Sequence, residues 1–82
     1  MQTNLHAERA RARKTDALAD EIETLCRAKG IDPYADARDI ADLLTNWTDF
    51  HWRALAKGCG QNPPSDITKG RVIARFVRRA EP

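Results

Sequence analysis

The chain has 82 residues, of which 41% are apolar and 32% are charged, and its net charge is +2. These values are typical of one small globular domain and exclude a largely disordered chain, which would carry too few apolar residues to form a core. The uncharged apolar stretches are too short for a transmembrane helix, and the N-terminus lacks the apolar segment of a secretory signal. We therefore expect a cytoplasmic protein without membrane association. The alternative interpretation of the N-terminus is an Arg-rich mitochondrial presequence.

The charges fall into three blocks along the chain. Residues 1–14 carry four basic side chains against one acid, residues 15–49 carry three against nine acids, and residues 50–80 carry seven against one. A concentrated basic segment is typical of a protein that binds a polyanion. We expect residues 1–14 to be a solvated basic arm or helical extension, and residues 15–82 to form a single helical domain.

The first predicted helix covers residues 16–28. Leu18, Ile22 and Leu25 recur there at helical spacing on one side, with charged residues on the other. Thr15 is the predicted N-cap, and Gly30 is the residue predicted to stop the helix.

The second helix is predicted to begin at Asp32 and Pro33, since an acid followed by proline is a common helix start. Its apolar face is expected to hold Tyr34, Ala37, Ile40, Ala41, Leu43, Leu44 and Trp47.

A third, shorter helix is predicted to follow Thr48 as its N-cap. Trp47 before the cap and Trp52 after it have the spacing of a hydrophobic staple. Gly58 is expected at the position where a helix commonly ends in a glycine.

The fourth helix is predicted to run from Ser65, its N-cap, to about Arg79. Its apolar arc is expected to contain Val72, Ile73, Phe76, Val77 and Ala80, and the opposite arc Arg71, Arg75, Arg78 and Arg79. Gly70 disfavours this helix, so we expect it to permit a close backbone approach or to mark fraying.

No segment alternates with the period of a strand, and we therefore predict an all-α, compact four-helix domain. The third and fourth helices, joined by a Gly- and Pro-containing turn, are typical of a helix-turn-helix-like pair in the C-terminal half. Its departures from that motif are Pro63-Pro64 in the turn and Gly70 in the second helix. The aromatic residues Trp47, Phe50 and Trp52 are expected in the core rather than stacked on bases. The other predicted core residues are Leu18, Ile22, Leu25, Ile40, Leu44, Leu55, Ile73 and Phe76.

The basic fourth helix favours a small nucleic-acid-binding protein, a helix-turn-helix-like transcriptional regulator. Arginine suits phosphate because its planar guanidinium donates two parallel hydrogen bonds. The residues expected to contact DNA or RNA are Arg71, Arg75, Arg78, Arg79, Lys69, Ser65, Thr68, Arg9, Arg11 and Arg13. A merely solvated helix face would explain the same arginines.

The alternative function is a small protein-binding adaptor or inhibitor of the kind that phages and mobile elements encode. It would dock on a partner protein through the acidic middle of the chain, at Asp36, Asp39 and Asp42. These acids could also meet the protein's own arginine helix across a dimer. A homodimer is expected because the chain is short and its second and third helices carry many large apolar residues.

We expect neither an enzyme nor a cofactor, because the sequence contains no phosphate-binding glycine loop and no nucleophile with an identifiable base. Cys26, Cys59, His6 and His51 lack the spacing of a zinc site. The two cysteines are therefore interpreted as small buried apolar residues.

Overall fold

Four helices make up the described part of the chain. The computed structural model describes the backbone of residues 4–82 and the side chains of residues 7–82. The helices are α1 (Asn4–Ala28), α2 (Ala37–Thr45), α3 (Asp49–Gly58) and α4 (Asp66–Ala80), and these residues contain no strand. The prediction of an all-α, four-helix domain is confirmed. Over the same residues, none of the helices has the length and apolar character needed to cross a membrane.

α1 is one uninterrupted helix, and the predicted start after Thr15 was wrong. Thr15 is buried inside the helix, where its hydroxyl donates a hydrogen bond to the carbonyl of Arg11 over 2.8 Å. The helix extends upstream because the preceding Ala, Arg, Glu and Lys residues all have high helix propensity. Residues 1–3 of the predicted arm lie outside the described residues. The predicted stop is confirmed, since Gly30 has a φ of +76° and turns the chain back.

α2 begins at Ala37, later than the predicted start at Asp32. Asp32 instead closes a turn, since its carboxylate accepts the backbone N–H of Tyr34 over 2.9 Å and that of Ala35 over 3.3 Å. These hydrogen bonds stabilise the charged carboxylate and hold the pKa of Asp32 below its ordinary value of 3.8.

The start of α3 confirms the predicted staple. Thr48 is the N-cap, and the rings of Trp47 and Trp52 meet edge to face with centroids 5.1 Å apart. His51 adds a contact that was not predicted, because its Nδ1 accepts the backbone N–H of Thr48 over 3.1 Å. At the other end, the residue with the left-handed conformation is Gly60, with a φ of +72°, and not Gly58.

The core lies where α1 and α2 pack against α4, and α3 packs on α1. Of the predicted core residues, Leu18, Ile22, Ile40, Leu44, Leu55 and Phe76 are buried. Ile73 is only partly buried. Leu25 and Phe50 were wrongly predicted in the core, and Tyr34, Leu43 and Val77 were assigned to apolar faces that are not covered; all five residues are exposed. Short helices cover only a narrow stripe of their neighbours, so the edges of each apolar face stay open.

The predicted helix-turn-helix-like pairing of α3 and α4 is not confirmed. Over the described residues, the two helices make no close backbone approach, because α4 packs on α2 and α1 instead. The link between them, residues 59–65, includes Pro63-Pro64 and separates the helices. Gly70 lies within continuous α4, and a Cβ added to it would meet nothing within 4 Å. Neither fraying nor a close approach inside this chain explains that glycine.

Candidate nucleic-acid interface

Three of the basic residues of α4 form ion pairs with acids of other helices. Nζ of Lys69 lies 2.9 Å from Oδ1 of Asp49 in α3. Arg75 and Arg79 pair with two acids of α1, Asp16 and Glu23 respectively. The partners of Arg75 and Arg79 come from α1 and not from acids of α4 at i+4. Asp16 and Glu23 are seven residues apart and so share one side of α1, a spacing that could have indicated this charged seam.

Arg79 and Lys69 are the most enclosed of these cations, each with a side chain that is 19% exposed, and Arg79 is also covered by aromatic rings. Its guanidinium carbon lies 4.3 Å from the ring centroid of Tyr34 and 4.9 Å from that of Phe76. Nη1 of Arg79 is buried without a hydrogen-bond partner among the described residues. The Arg79 side chain links α4 to α1 through Glu23, and it is poorly placed to reach a phosphate.

Two further predicted contacts, Ser65 and Thr68, serve the start of α4. Oγ of Ser65 accepts the backbone N–H of Thr68 over 3.3 Å, which confirms Ser65 as the N-cap. Thr68 is buried. Arg71 and Arg78, in contrast, are exposed and have no ion pair with any described residue.

The first described turns of α1 form a second basic surface, which we call the basic arm (residues 7–14). Every residue from Ala7 to Arg13 is exposed, including Arg9, Arg11 and Arg13. None of these arginines forms an ion pair within the described part of the chain. At the base of the arm, Nζ of Lys14 donates to the carbonyl of Pro63 over 3.4 Å and ties the arm to the loop before α4.

The acids of α2 are also exposed and unpaired. Asp36, Asp39 and Asp42 have no ion pair with a described residue. Asp36 and Asp39 border a recess that Ile31, Ile40 and Leu43 also line. The fold thus pairs Asp16 and Glu23 of α1 with α4 and leaves these three acids without an ion pair among the described residues.

The pair between Lys69 and Asp49 shifts the titration of both groups. The hydrogen bond and charge of Lys69 hold the pKa of Asp49 below its ordinary value, and the carboxylate raises the pKa of Lys69. Burial raises the pKa of the Cys26 and Cys59 thiols. No group of three or more potential metal ligands occurs among the described residues, and the side chain of His6 lies outside them.

Comparison with known proteins gives no match to a family model, to a curated protein or to a solved structure. The chemistry of the unpaired surfaces is therefore the basis on which a function can be inferred.

Proposed function

We propose that this chain binds double-stranded DNA through the basic arm. The observation that carries the proposal is the division of the arginines into two groups. Arg75 and Arg79 are held by acids of α1, whereas Arg9, Arg11 and Arg13 are exposed and unpaired. Unpaired arginines on a projecting helix can neutralise phosphates without first breaking an ion pair of the fold.

The spacing of the arm suits the major groove. At about 100° per residue, Arg9 and Arg13 lie on one side of α1 and Arg11 lies on the opposite side. An α-helix with its side chains is about 10–12 Å across and the major groove is about 12 Å wide. A helix lying in the groove would place arginines toward both of its phosphate walls.

Small side chains occupy the side of α1 between Arg9 and Arg11. At about 100° per residue Ala7 and Ala10 lie there within about 60° of each other, which allows the helix to approach the base edges, and alanine can contact the methyl group of thymine. Duplex RNA fits less well, since its major groove is too deep and narrow for side chains to read. We therefore propose duplex DNA as the ligand, with regulation of transcription as the role that follows from the sequence.

The test replaces Arg9, Arg11 and Arg13 together with glutamine. Glutamine keeps the helix propensity, so the arm should stay helical by circular dichroism. Binding to a short random-sequence duplex is then measured by fluorescence anisotropy over a range of salt concentrations. We expect weaker binding, and a log–log salt slope reduced by up to about 0.9 for each phosphate that the variant no longer neutralises.

The matched control removes three exposed cations elsewhere, by changing Arg38, Arg53 and Lys57 to glutamine. It lowers the net charge by the same amount and should keep the slope close to that of the parent. An arm variant that binds like the parent at every salt concentration would contradict the proposal. So would a control whose slope falls as much as that of the arm variant, because binding would then depend on net charge alone.

A further inference from the structure

An apolar groove runs between the C-terminal part of α1 and α2. Its walls include Leu25, Leu43 and Trp47, and its volume is about 180 Å³. Leu25 is 46% exposed and Leu43 is 58% exposed. Apolar surface of this kind, bordered by charged residues, marks an interaction site more often than a solvated face. Ile31 continues the groove into the recess that Asp36 and Asp39 border.

α4 carries a second apolar surface that faces away from the core, which we call the outer strip (Ile67, Gly70, Ala74 and Val77). At about 100° per residue these four positions fall within an arc of about 80°, opposite Phe76. Ile67 is 59% exposed and Val77 is 44% exposed. The unpaired Arg71 and Arg78 lie along one border of the strip, at about 100° per residue.

The outer strip and the groove are complementary in charge and similar in length. Arg71 and Arg78 border the strip, and the unpaired Asp36 and Asp39 border the recess that continues the groove at Ile31. The ten-residue step along α4 from Ile67 to Val77 spans about 15 Å, and the nine residues of α2 span about 12 Å.

They also match in shape. Gly70 and Ala74 in the middle of the strip would let two helix backbones approach closely, and space is open around Gly70. The groove is concave, and two concave surfaces cannot pack against each other. The surface that fills it must therefore be convex, as a helix is. Because the outer strip faces away from its own α2, that helix must come from another molecule.

We propose that the outer strip of α4 in one copy docks in the groove of a second copy of this chain. Arg71 and Arg78 then lie beside Asp36 and Asp39 of the other copy. Lys29 follows α1 and also lines the groove. The contact explains Gly70, and it is independent of DNA binding because it uses no residue of the basic arm.

The test uses two charge-reversed variants and their mixture. One carries Asp36→Lys with Asp39→Lys, and the other carries Arg71→Glu with Arg78→Glu. We expect the parent to self-associate in sedimentation velocity, and each variant alone to associate at least tenfold more weakly. An equimolar mixture should recover association, since each groove then meets an outer strip of opposite charge.

Matched controls reverse two charges outside the proposed contact. Asp20→Lys with Asp42→Lys controls for the groove variant, and Arg53→Glu with Lys57→Glu controls for the strip variant. Both controls should associate like the parent.

Three results would overturn the proposal. If the parent stays monomeric at millimolar concentration, a second copy does not occupy the groove, and a helix of another protein becomes the occupant to test. Variants that associate like the parent, or a mixture that does not recover association, would exclude the α4 contact. The arginine-to-glutamine variant of the arm should associate normally, so failure of one proposal is distinguishable from failure of the other.

Discussion

Arg79 in α4 donates a hydrogen bond from Nη2 to Oε2 of Glu23 in α1 over 2.6 Å. Their side chains are only 19% and 11% exposed, so both charges are largely removed from water. A pair of this kind contributes little compared with well-packed apolar residues, but removal of one partner leaves an uncompensated buried charge. The pair therefore constrains which substitutions α1 and α4 tolerate.

Glu23→Ala should lower the free energy of unfolding by about 3 kcal/mol, at the low end for a broken buried pair because some solvent reaches Arg79. Urea denaturation measures the change. Arg27 also pairs with Glu23, but its side chain is 59% exposed. Arg27→Ala is thus the control and should cost no more than about 0.5 kcal/mol. The double variant Glu23→Leu with Arg79→Met should recover most of the stability, and a double variant as unstable as Glu23→Ala would contradict the predicted role of the pair.

Phe76→Ala should destabilise the fold by about 3–5 kcal/mol, because the ring is completely buried and its removal leaves a cavity. Leu25→Ala should cost less than Phe76→Ala, about 1 kcal/mol, since Leu25 borders the open groove and buries only about half of its surface. Thermal unfolding, followed by circular dichroism in dilute solution, compares the two. Equal destabilisation at both positions would mean that the groove is closed in solution.

Gly70→Ala should raise the stability of the monomer by about 1 kcal/mol, because alanine favours the helix and its Cβ meets nothing within 4 Å. Gly30→Ala should do the opposite and cost about 1–2 kcal/mol, since a φ of +76° is unfavourable for a residue with a Cβ. Both are measured by urea denaturation at a concentration where the parent is monomeric. A destabilised Gly70→Ala monomer would reveal a close contact inside the chain.

The pair between Asp49 and Lys69 should make a small contribution to stability that depends on pH. Since the pKa of Asp49 is lowered in the fold, its contribution is present above the ordinary value of 3.8 and is lost as the pH falls through the folded pKa. The pKa of Lys69 is raised, so its contribution is present below the ordinary value of 10.5 and is lost as the pH rises through the folded pKa. Asp49→Asn should remove the Asp49 effect and reduce that of Lys69, which also pairs with Asp66. The measurement is the difference in unfolding free energy between parent and variant across the pH range, which should be largest between those limits. A difference that does not change with pH would contradict the assignment.

Helix number and most of the buried residues could be predicted because burial follows helical periodicity. Leu18, Ile22 and Phe76 lie at the centre of their apolar faces, where any neighbouring helix would cover them. Leu43 lies at the edge of such a face, and Leu25 lies within about 20° of Leu18 but two turns further along α1. Whether such positions are covered depends on the direction in which the next helix crosses. That direction is a property of the packed fold, and the periodicity of a single helix does not contain it.

The candidate site was predicted less well, for a related reason. Exposure of a charged residue can be read from its position on a helix, but its pairing depends on residues far away in sequence. Asp16 neutralises Arg75 from another helix, while Arg9, two turns before Asp16, has no partner among the described residues. The fold, and not the sequence pattern, distinguishes the paired Arg75 from the unpaired Arg9.

The continuity of α1 through Thr15 also determines how the basic arm stays ordered. An isolated helix of this length is only marginally stable in water, because ordering the first turn costs more free energy than its first hydrogen bond contributes. Here the buried half of α1, around Leu18 and Ile22, provides that first turn, and the arm only propagates it. The arm should therefore unfold in the same transition as the core, and a ligand that binds the helical arm should raise the melting temperature of the whole domain.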